Sequence, residues 1–225
     1  MHHTLKQHLP WHGARLNFLA LFLIPLIRVR TVDLRSLSLV FRTSAKAESS
    51  YKRLQRFFAK FDLDFTVVAK TVVSLMDIPQ PWVLSIDRTQ WCFGSTCFNI
   101  FVLGIIYNGV AFPVTWTMLE NIGNSNTCER MDLLDKFWDV FPDAQVSYLS
   151  GDREFIAKEW LTYLIIEPQI PFRLRIKADY KIGNGQKSLA GSIIFAHLQI
   201  GEHQTLCWKT IGLGQTSLPL CFTLR

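Results

Sequence analysis

Two aspartates stand in similar surroundings in this sequence. Asp87 ends the apolar run "WVLSID", and Asp152 follows the apolar run "QVSYLSG". Each is succeeded at once by an arginine, Arg88 or Arg153. In open α/β sheets ligands bind outside the carboxyl ends of the strands. Two carboxylates meeting at such an edge repel one another unless a cation lies between them. Hard divalent cations take oxygen ligands, and Mg²⁺ is often held by one or two carboxylates plus substrate phosphates. A pair of such ions clamps the attacking and leaving oxygens of a phosphoryl transfer. The rival reading is local: Asp is a preferred helix N-cap and is common in turns at strand ends. The sequence leaves both readings of Asp152 open. Glu154 is a further candidate ligand, whereas Glu159 lies in the expected helix body and faces solvent. Arg88 and Arg153 have two candidate roles, as phosphate contacts or as ion-pair partners.

The elements that must position these residues follow from periodicity. "WVLSID", 82–87, reads as a short strand. "CFNIFVLGIIYNGVAFPVTWTM", 97–118, reads as two strands around Asn108-Gly109, the strongest short hairpin signal. "NSNTCERMDLLDKFWDVF" reads as a helix, with Asn126 and Glu129 as a capping pair and Met131, Leu134, Trp138 and Phe141 on its apolar face. "QVSYLS", 145–150, is a further strand, and a helix after Asp152 presents Ile156, Trp160, Tyr163 and Leu164. "IPFRLRIK", 170–177, alternates, setting Arg173, Arg175 and Lys177 opposite apolar neighbours. A crossover helix makes 145–150 parallel to 82–86, which brings Asp87 and Asp152, 65 positions apart, to one edge. Beyond 180, "KIGNGQKSL" reads as a turn-rich connector. "GSIIFAHLQI", "TLCWKTIGL" and "LPLCFTLR" read as strands. The glycine pairs 183/185 and 212/214 read as turns, and no Walker-type loop occurs.

The region before these elements is different. Residues 14–77 read as mostly helical, and "DIPQP", 77–81, marks a boundary. In "SSYKRLQRFFAKF" the residues Tyr51, Leu54, Phe57, Phe58 and Phe61 recur at helical spacing, with Ser49 or Ser50 as the expected cap. Lys52, Arg53, Arg56 and Lys60 fall on the rest of that cylinder. Residues 1–80 hold 12 Lys and Arg against 5 Asp and Glu, while the remainder holds 12 against 13. The whole basic excess is therefore N-terminal, as expected for a polyanion partner such as nucleic acid.

Composition excludes several classes. At 49% apolar and 19% charged residues, a chain of 225 residues is expected to fold rather than stay disordered. The run "LNFLALFLIPLI", 16–27, is too short for a membrane span, which needs roughly 20 apolar residues, and reads as a buried helix. Five cysteines without a CxxC pair argue against a disulfide framework and for a reducing compartment. His197, His203 and Cys207 do not complete a zinc ligand set.

Together, "SSYKRLQRFFAKF", "LSIDRTQW" and "LSGDREFIAKEWL" resemble the DDE transposases of bacterial insertion sequences, in the branch marked by a Tyr-Arg-Glu-Lys signature. The likeness covers nearly the whole chain. It implies an α/β, ribonuclease-H-like mixed sheet with flanking helices over 81–180, preceded by an all-α DNA-binding region over 1–80. The start of a β-rich insertion would occupy 181–225. It implies Asp87 and Asp152 as catalytic metal ligands for Mg²⁺ or Mn²⁺, and contacts to double-stranded transposon ends. The DNA contacts fall on Lys52, Arg53, Arg56, Lys60, Arg153, Arg173, Arg175 and Lys177. It implies a homodimer when complete and a place in the bacterial cytoplasm with the nucleoid, away from membranes. None of the five tyrosines begins Tyr-x₂-Arg, so the third carboxylate is absent. The resemblance therefore implies a C-terminally truncated copy with little or no activity. The alternative is a non-catalytic DNA-binding or dimerising inhibitor fragment.

Overall fold

The computed structural model describes residues 1–41, 45–120, 123–183, 187–199, 202, 204–211 and 219–224. The chain forms two compact units, Met1–Asp77 and Ile78–Arg225.

The first unit is helical: α1 His2–His8, α2 Gly13–Val29, α3 Leu34–Leu39, α4 Ala47–Lys60 and α5 Phe65–Met76. Aspartates start two of these helices. Asp33 accepts from the amides of Arg35 and Ser36, and Asp64 from those of Thr66 and Val67, which satisfies donors that a helix start otherwise leaves unpaired. The apolar run 16–27 lies within α2 and buries Leu16, Phe18 and Ala20. Among the described residues no helix is long and apolar enough to cross a membrane. Leu54 and Phe57 of α4 close one core with Phe18, Leu37 and Phe41, each large side chain contributing about 1.5–3 kcal/mol on burial. Two expectations change here. The cap of α4 is Lys46, with no side-chain bond, and Ser49 and Ser50 lie inside the first turn. Phe58 stays 45% exposed, because the core stripe is satisfied by Leu54 and Phe57.

The second unit is built on a five-stranded mixed sheet of order β3-β2-β1-β4-β5. β1 (Trp82–Phe93), β2 (Thr96–Tyr107) and β3 (Val110–Leu119) form an antiparallel meander. Asn108 and Gly109 both take positive φ, 50° and 77°, as the expected two-residue hairpin turn requires. Helix α6 (Thr127–Val140) then crosses to β4 (Val146–Gly151), and α7 (Lys158–Ile166) to β5 (Phe172–Leu174). β4 is parallel to β1, and β5 to β4. Three antiparallel strands followed by two parallel ones across helices give the ribonuclease-H-like arrangement. The expected capping box of Asn126 and Glu129 is present at α6.

Alternation divides this sheet into two faces. Leu84, Ile86, Phe101, Leu103, Ile105 and Leu149 are fully or almost fully buried on one of them. Phe137 of α6 meets Trp82 of that face at 6.2 Å between ring centroids. The buried side of α6 is Arg130, Leu133, Leu134, Phe137 and Val140, a stripe rotated from the expected Met131, Leu134, Trp138 and Phe141. The opposite face, with Val83, Ser85 and Ser150, is only half-buried.

A second sheet, of order β7-β6-β8-β9, is built from β6 (Lys181–Gly183), β7 (Ser188–Ala190), β8 (Gln204–Ile211) and β9 (Pro219–Leu224). The expected connector 181–189 thus supplies two short strands. The expected strand over 191–200 begins instead as helix α8, Gly191–Ile194. Ile182 and Phe195 form a small core there, which the local β propensity of "SIIF" does not reveal. The expected turn at 212–214, residues 184 and 185 of that at 183–185, and His203 lie outside the described residues.

Candidate functional site

The parallel ladder between β1 and β4 ends at the pair Ile86↔Gly151. Asp87 and Asp152 are the next residues on their strands. Asp152 is still extended, with φ −82° and ψ 177°, so alternation carries through it. Both aspartates therefore project on the half-open face, from adjacent strands whose spacing is about 4.8 Å. Both are exposed. Asp87 does not end its strand, as its apolar run implied: β1 runs on to Phe93, paired to β2 throughout. What ends at Asp87 is the pairing to β4.

Each carboxylate has one local bond. Asp87 Oδ1 accepts from the Arg88 amide at 2.8 Å, and Asp152 Oδ1 from the Arg153 amide at 2.7 Å. Asp152 caps a single 3₁₀ turn, Arg153–Phe155, and α7 begins only at Lys158. The expectation of a helix directly after Asp152 is corrected accordingly. Gly151 explains the detour: a Cβ there would lie 2.8 Å from Ile86, 2.9 Å from Leu174 and 3.0 Å from Phe155. The turn folds Phe155 into the core, where it stacks on Phe101 at 5.9 Å.

The two aspartate segments are also tied together from the closed face. Arg88 pairs with Glu154 at 3.3 Å, both side chains being about one-fifth exposed. The other arm of Arg88 donates to Asn99 Oδ1 at 3.2 Å, and Asn99 donates to the Gly123 carbonyl at 3.1 Å. Arg130, 4% exposed, donates to Ser125 and to the Glu154 carbonyl. Burial holds its guanidinium below the usual arginine range, against the pull of Glu154 and Glu129. Sequence reasoning missed Asn99, Ser125 and Arg130. The one signal was a charged residue on the apolar stripe of α6.

The expected phosphate ligands divide by position. Ser150 pairs with Arg173, so Arg173 shares the face of Asp152 and Asp87, and it lies 4.0 Å over the Tyr148 ring. The Arg175 amide donates to the Gly151 carbonyl at 3.2 Å, which sets Arg175 on that same face one pair further on. Lys177 and Arg153 are exposed nearby in sequence. On α4, Lys52 and Arg56 line a shallow groove of about 540 Å³ with Gln55 and Ala59. Lys60 continues their i, i+4, i+8 stripe. Arg53 stands apart, its guanidinium 4.8 Å over Phe18.

No protein-family model and no curated protein matches this sequence. Solved structures do resemble it. The HTLV-2 integrase catalytic core domain in complex with magnesium, in its trimeric form, is 10% identical over 41% of this chain and 58% of its own, with a TM-score of 0.33. The dimeric form gives 11% identity, 41%, 59% and 0.33. A simian T-cell lymphotropic virus intasome in complex with PP2A regulatory subunit B56 gamma gives 11%, 50%, 45% and 0.35. This chain thus spans less than two-thirds of each. Strand order and register carry the fold assignment.

As a cation site, the aspartate pair fits in part. Neither carboxylate has an ion-pair partner among the described residues, and two such oxygens suit a Mg²⁺ ion that keeps waters and takes phosphate oxygens. No group of three or more His, Cys, Asp and Glu among the described residues is arranged to hold a metal. Glu154 is turned to Arg88, Glu159 is exposed on α7, and the Glu202 side chain accepts from the Gln199 amide. The cysteines depart from expectation at one point: Cys92 and Cys97, opposite each other near the β1–β2 turn, are disulfide-bonded. Among the described residues it is one staple rather than a framework.

Proposed function

We propose that this chain is a DNA-processing protein of the transposase type, in the bacterial insertion-sequence group marked by the Tyr-Arg-Glu-Lys signature. It holds Mg²⁺ or Mn²⁺ through Asp87 and Asp152 and binds the ends of a DNA element. One observation carries the reading: two carboxylates at matched positions on one sheet face, with Arg173 and Arg175 on that face beside them. Carboxylates next to arginines suit a phosphodiester, since the arginines bind its charged oxygens and the carboxylates hold the cation. A divalent ion there offsets the charge that builds on phosphodiester oxygens during transfer. Lys52, Arg56 and Lys60 bind duplex phosphates, releasing counterions. Arg53 contributes less, because its guanidinium is committed to Phe18. Exchange of one phosphodiester for another needs no nucleotide cofactor, in keeping with the lack of a Walker-type loop.

A second reading has its own support. With two carboxylates and no three-membered metal group among the described residues, the chain binds DNA and dimerises without cutting it.

The test is binding of duplex DNA across a salt series, by wild type and by Lys52→Ala/Arg56→Ala/Lys60→Ala. The salt slope should fall by about 0.9 for each phosphate that the variant no longer neutralises. Equal slopes sink the DNA assignment. Incubation with Mg²⁺ or Mn²⁺ then separates the two readings. End cleavage lost in Asp87→Ala supports the enzyme, and binding without cleavage supports the inhibitor.

A further inference from the structure

The β1–β2 hairpin runs on past the strands that flank it. β1 pairs with β4 only as far as Ile86, and β2 pairs with β3 only from Asn99 onward. Beyond those limits the pairs Trp91↔Phe98, Cys92↔Cys97 and Phe93↔Thr96 have no third strand beside them among the described residues. The ribbon closes after Phe93 through a turn in which Gly94 takes a φ of 62°. Gln90, Trp91, Cys92, Thr96, Cys97 and Phe98 are exposed. A two-stranded hairpin with no covered face is marginal in water. Its base is fixed, in contrast. Asn99, 4% exposed, donates to the Gly123 carbonyl and accepts from Arg88, which is paired with Glu154. The covalent link between Cys92 and Cys97 thus lies where the noncovalent support runs out.

We propose that Cys92 and Cys97 form a reversible thiol–disulfide switch that sets the order of this ribbon. The inference stands apart from the DNA reading above. Cross-links stabilise a fold most when they close long loops, and this one joins residues 5 positions apart. The rest of the unit therefore does not depend on it. Both cysteines are exposed, which gives an attacking thiolate the access that exchange requires, and exposed disulfides are the labile ones. The reductant is a dithiol. One of its thiolates attacks either Sγ, and the S–S electron pair leaves on the other Sγ, which takes up a proton. The second thiolate of the reductant then attacks its own sulfur in the mixed disulfide. The remaining cysteine sulfur departs with that electron pair and is protonated in turn. The reductant ends as its own disulfide, and Cys92 and Cys97 have gained two electrons and two protons between them. Without the link the ribbon opens from its turn inward. The opening stops at Asn99 and Arg88, where side-chain bonds take over. Asp87 keeps its place in the ladder, and what changes is the strand segment just beyond it.

The experiment uses the full chain, oxidised and after treatment with dithiothreitol, without denaturant. Amide hydrogen exchange is followed by mass spectrometry, and iodoacetamide labelling reads the thiols of Cys92 and Cys97. A Cys92→Ser/Cys97→Ser variant is the reference for the open ribbon. Dithiothreitol should expose both cysteines to labelling while the circular dichroism of the chain is kept. Amides of 91–98 should then exchange about tenfold faster, the order expected for losing a cross-link over so short a loop. They should match the variant, which should not respond to dithiothreitol. Amides of 84–88 and 99–105 should keep their rates. Oxidised glutathione should restore slow exchange in wild type. Equal exchange of 91–98 in the two states overturns the switch. Protection lost throughout β1 and β4 makes the link a staple of the whole fold and also overturns it. Labelling that needs denaturant, or reduction that oxidised glutathione does not reverse, overturns it as well.

Discussion

The two faces of the five-stranded sheet use the same strands for opposite ends. On one, Leu84, Ile86, Leu103, Ile105 and Leu149 are buried. On the other, one residue further along β1 and β4, Asp87 and Asp152 are exposed. The closed face also holds the charged groups that brace the site, Arg88 with Glu154 and Arg130. Polar residues there are bonded to one another, and the aspartates on the half-open face are exposed. Strand alternation therefore separates the groups that brace the aspartate segments from the face on which the proposed site lies.

Substitutions should sort by face. The largest effect is expected for Phe101→Ala, a fully buried ring, which should cost about 3–5 kcal/mol in chemical denaturation. Arg175→Ala, exposed on the other face, should stay within about 0.5 kcal/mol. Comparable costs for both would break the distinction. Next comes Asp152→Asn. Loss of an outer-shell partner typically costs about 10–100-fold in metal affinity, so loss of a ligand should cost more, read as Mn²⁺ binding by electron paramagnetic resonance. The melting temperature should not fall, because a like-charge repulsion is relieved. A strong loss of stability with unchanged Mn²⁺ affinity would make Asp152 a structural cap.

Gly151→Ala tests the seam between the faces. Its Cβ enters the space of Ile86, Leu174 and Phe155, an overpacking expected to cost about 1–3 kcal/mol. The smallest effect is at Tyr163, whose hydroxyl donates to Asp135 at 2.8 Å. Tyr163→Phe should cost about 1 kcal/mol at neutral pH. Burial first, and then the hydrogen bond to Asp135, raise this phenol above its ordinary value of 10.0. Because the folded value is the higher one, its contribution is complete below pH 10.0 and is lost as pH climbs beyond it. Denaturation from pH 8 to 11 should show a steeper alkaline decline in wild type than in the Phe variant. Parallel curves would show that Tyr163 contributes nothing to the alkaline decline.

Local signals were legible where the chain obeys one local rule. Asn108-Gly109 needs two positive φ values and has them, and Asn126 with Glu129 closes a capping box from a pattern three residues long. The parallel pairing of β4 with β1 followed from the need for a crossover. The rest depended on distant partners. "DRTQWCF" has polar and apolar residues on both sides, and it is a strand because β2 pairs with it. On α6, stripes through Trp138 and Phe137 both match a helical period, and the burial of Arg130 decides between them. The helix expected right after Asp152 is delayed because Gly151 lets Phe155 into the core first. At the site, Asp152 was readable as the residue after a strand, whereas Asp87 lies inside β1 and marks only where its pairing to β4 stops. The Arg88–Glu154 brace was not readable, since it joins residues 66 positions apart.

The unequal reach of the two ladders on β1 has a kinetic consequence. β1 meets β2 through a tight turn, with Phe93 opposite Thr96, whereas Ile86 meets Gly151 across 65 positions. Closing the longer loop costs about 3 kcal/mol more in chain entropy, at about 0.6 per doubling. The meander should therefore form first, with Asp87 carried on it before Asp152 has a strand to occupy. Transition-state analysis should give a φ-value well above 0.5 for Ile105→Val and near zero for Leu149→Ala. The reverse order would mean that the parallel pair nucleates the sheet. On the expected order, the aspartate pair is among the last features of the second unit to assemble and among the first to open.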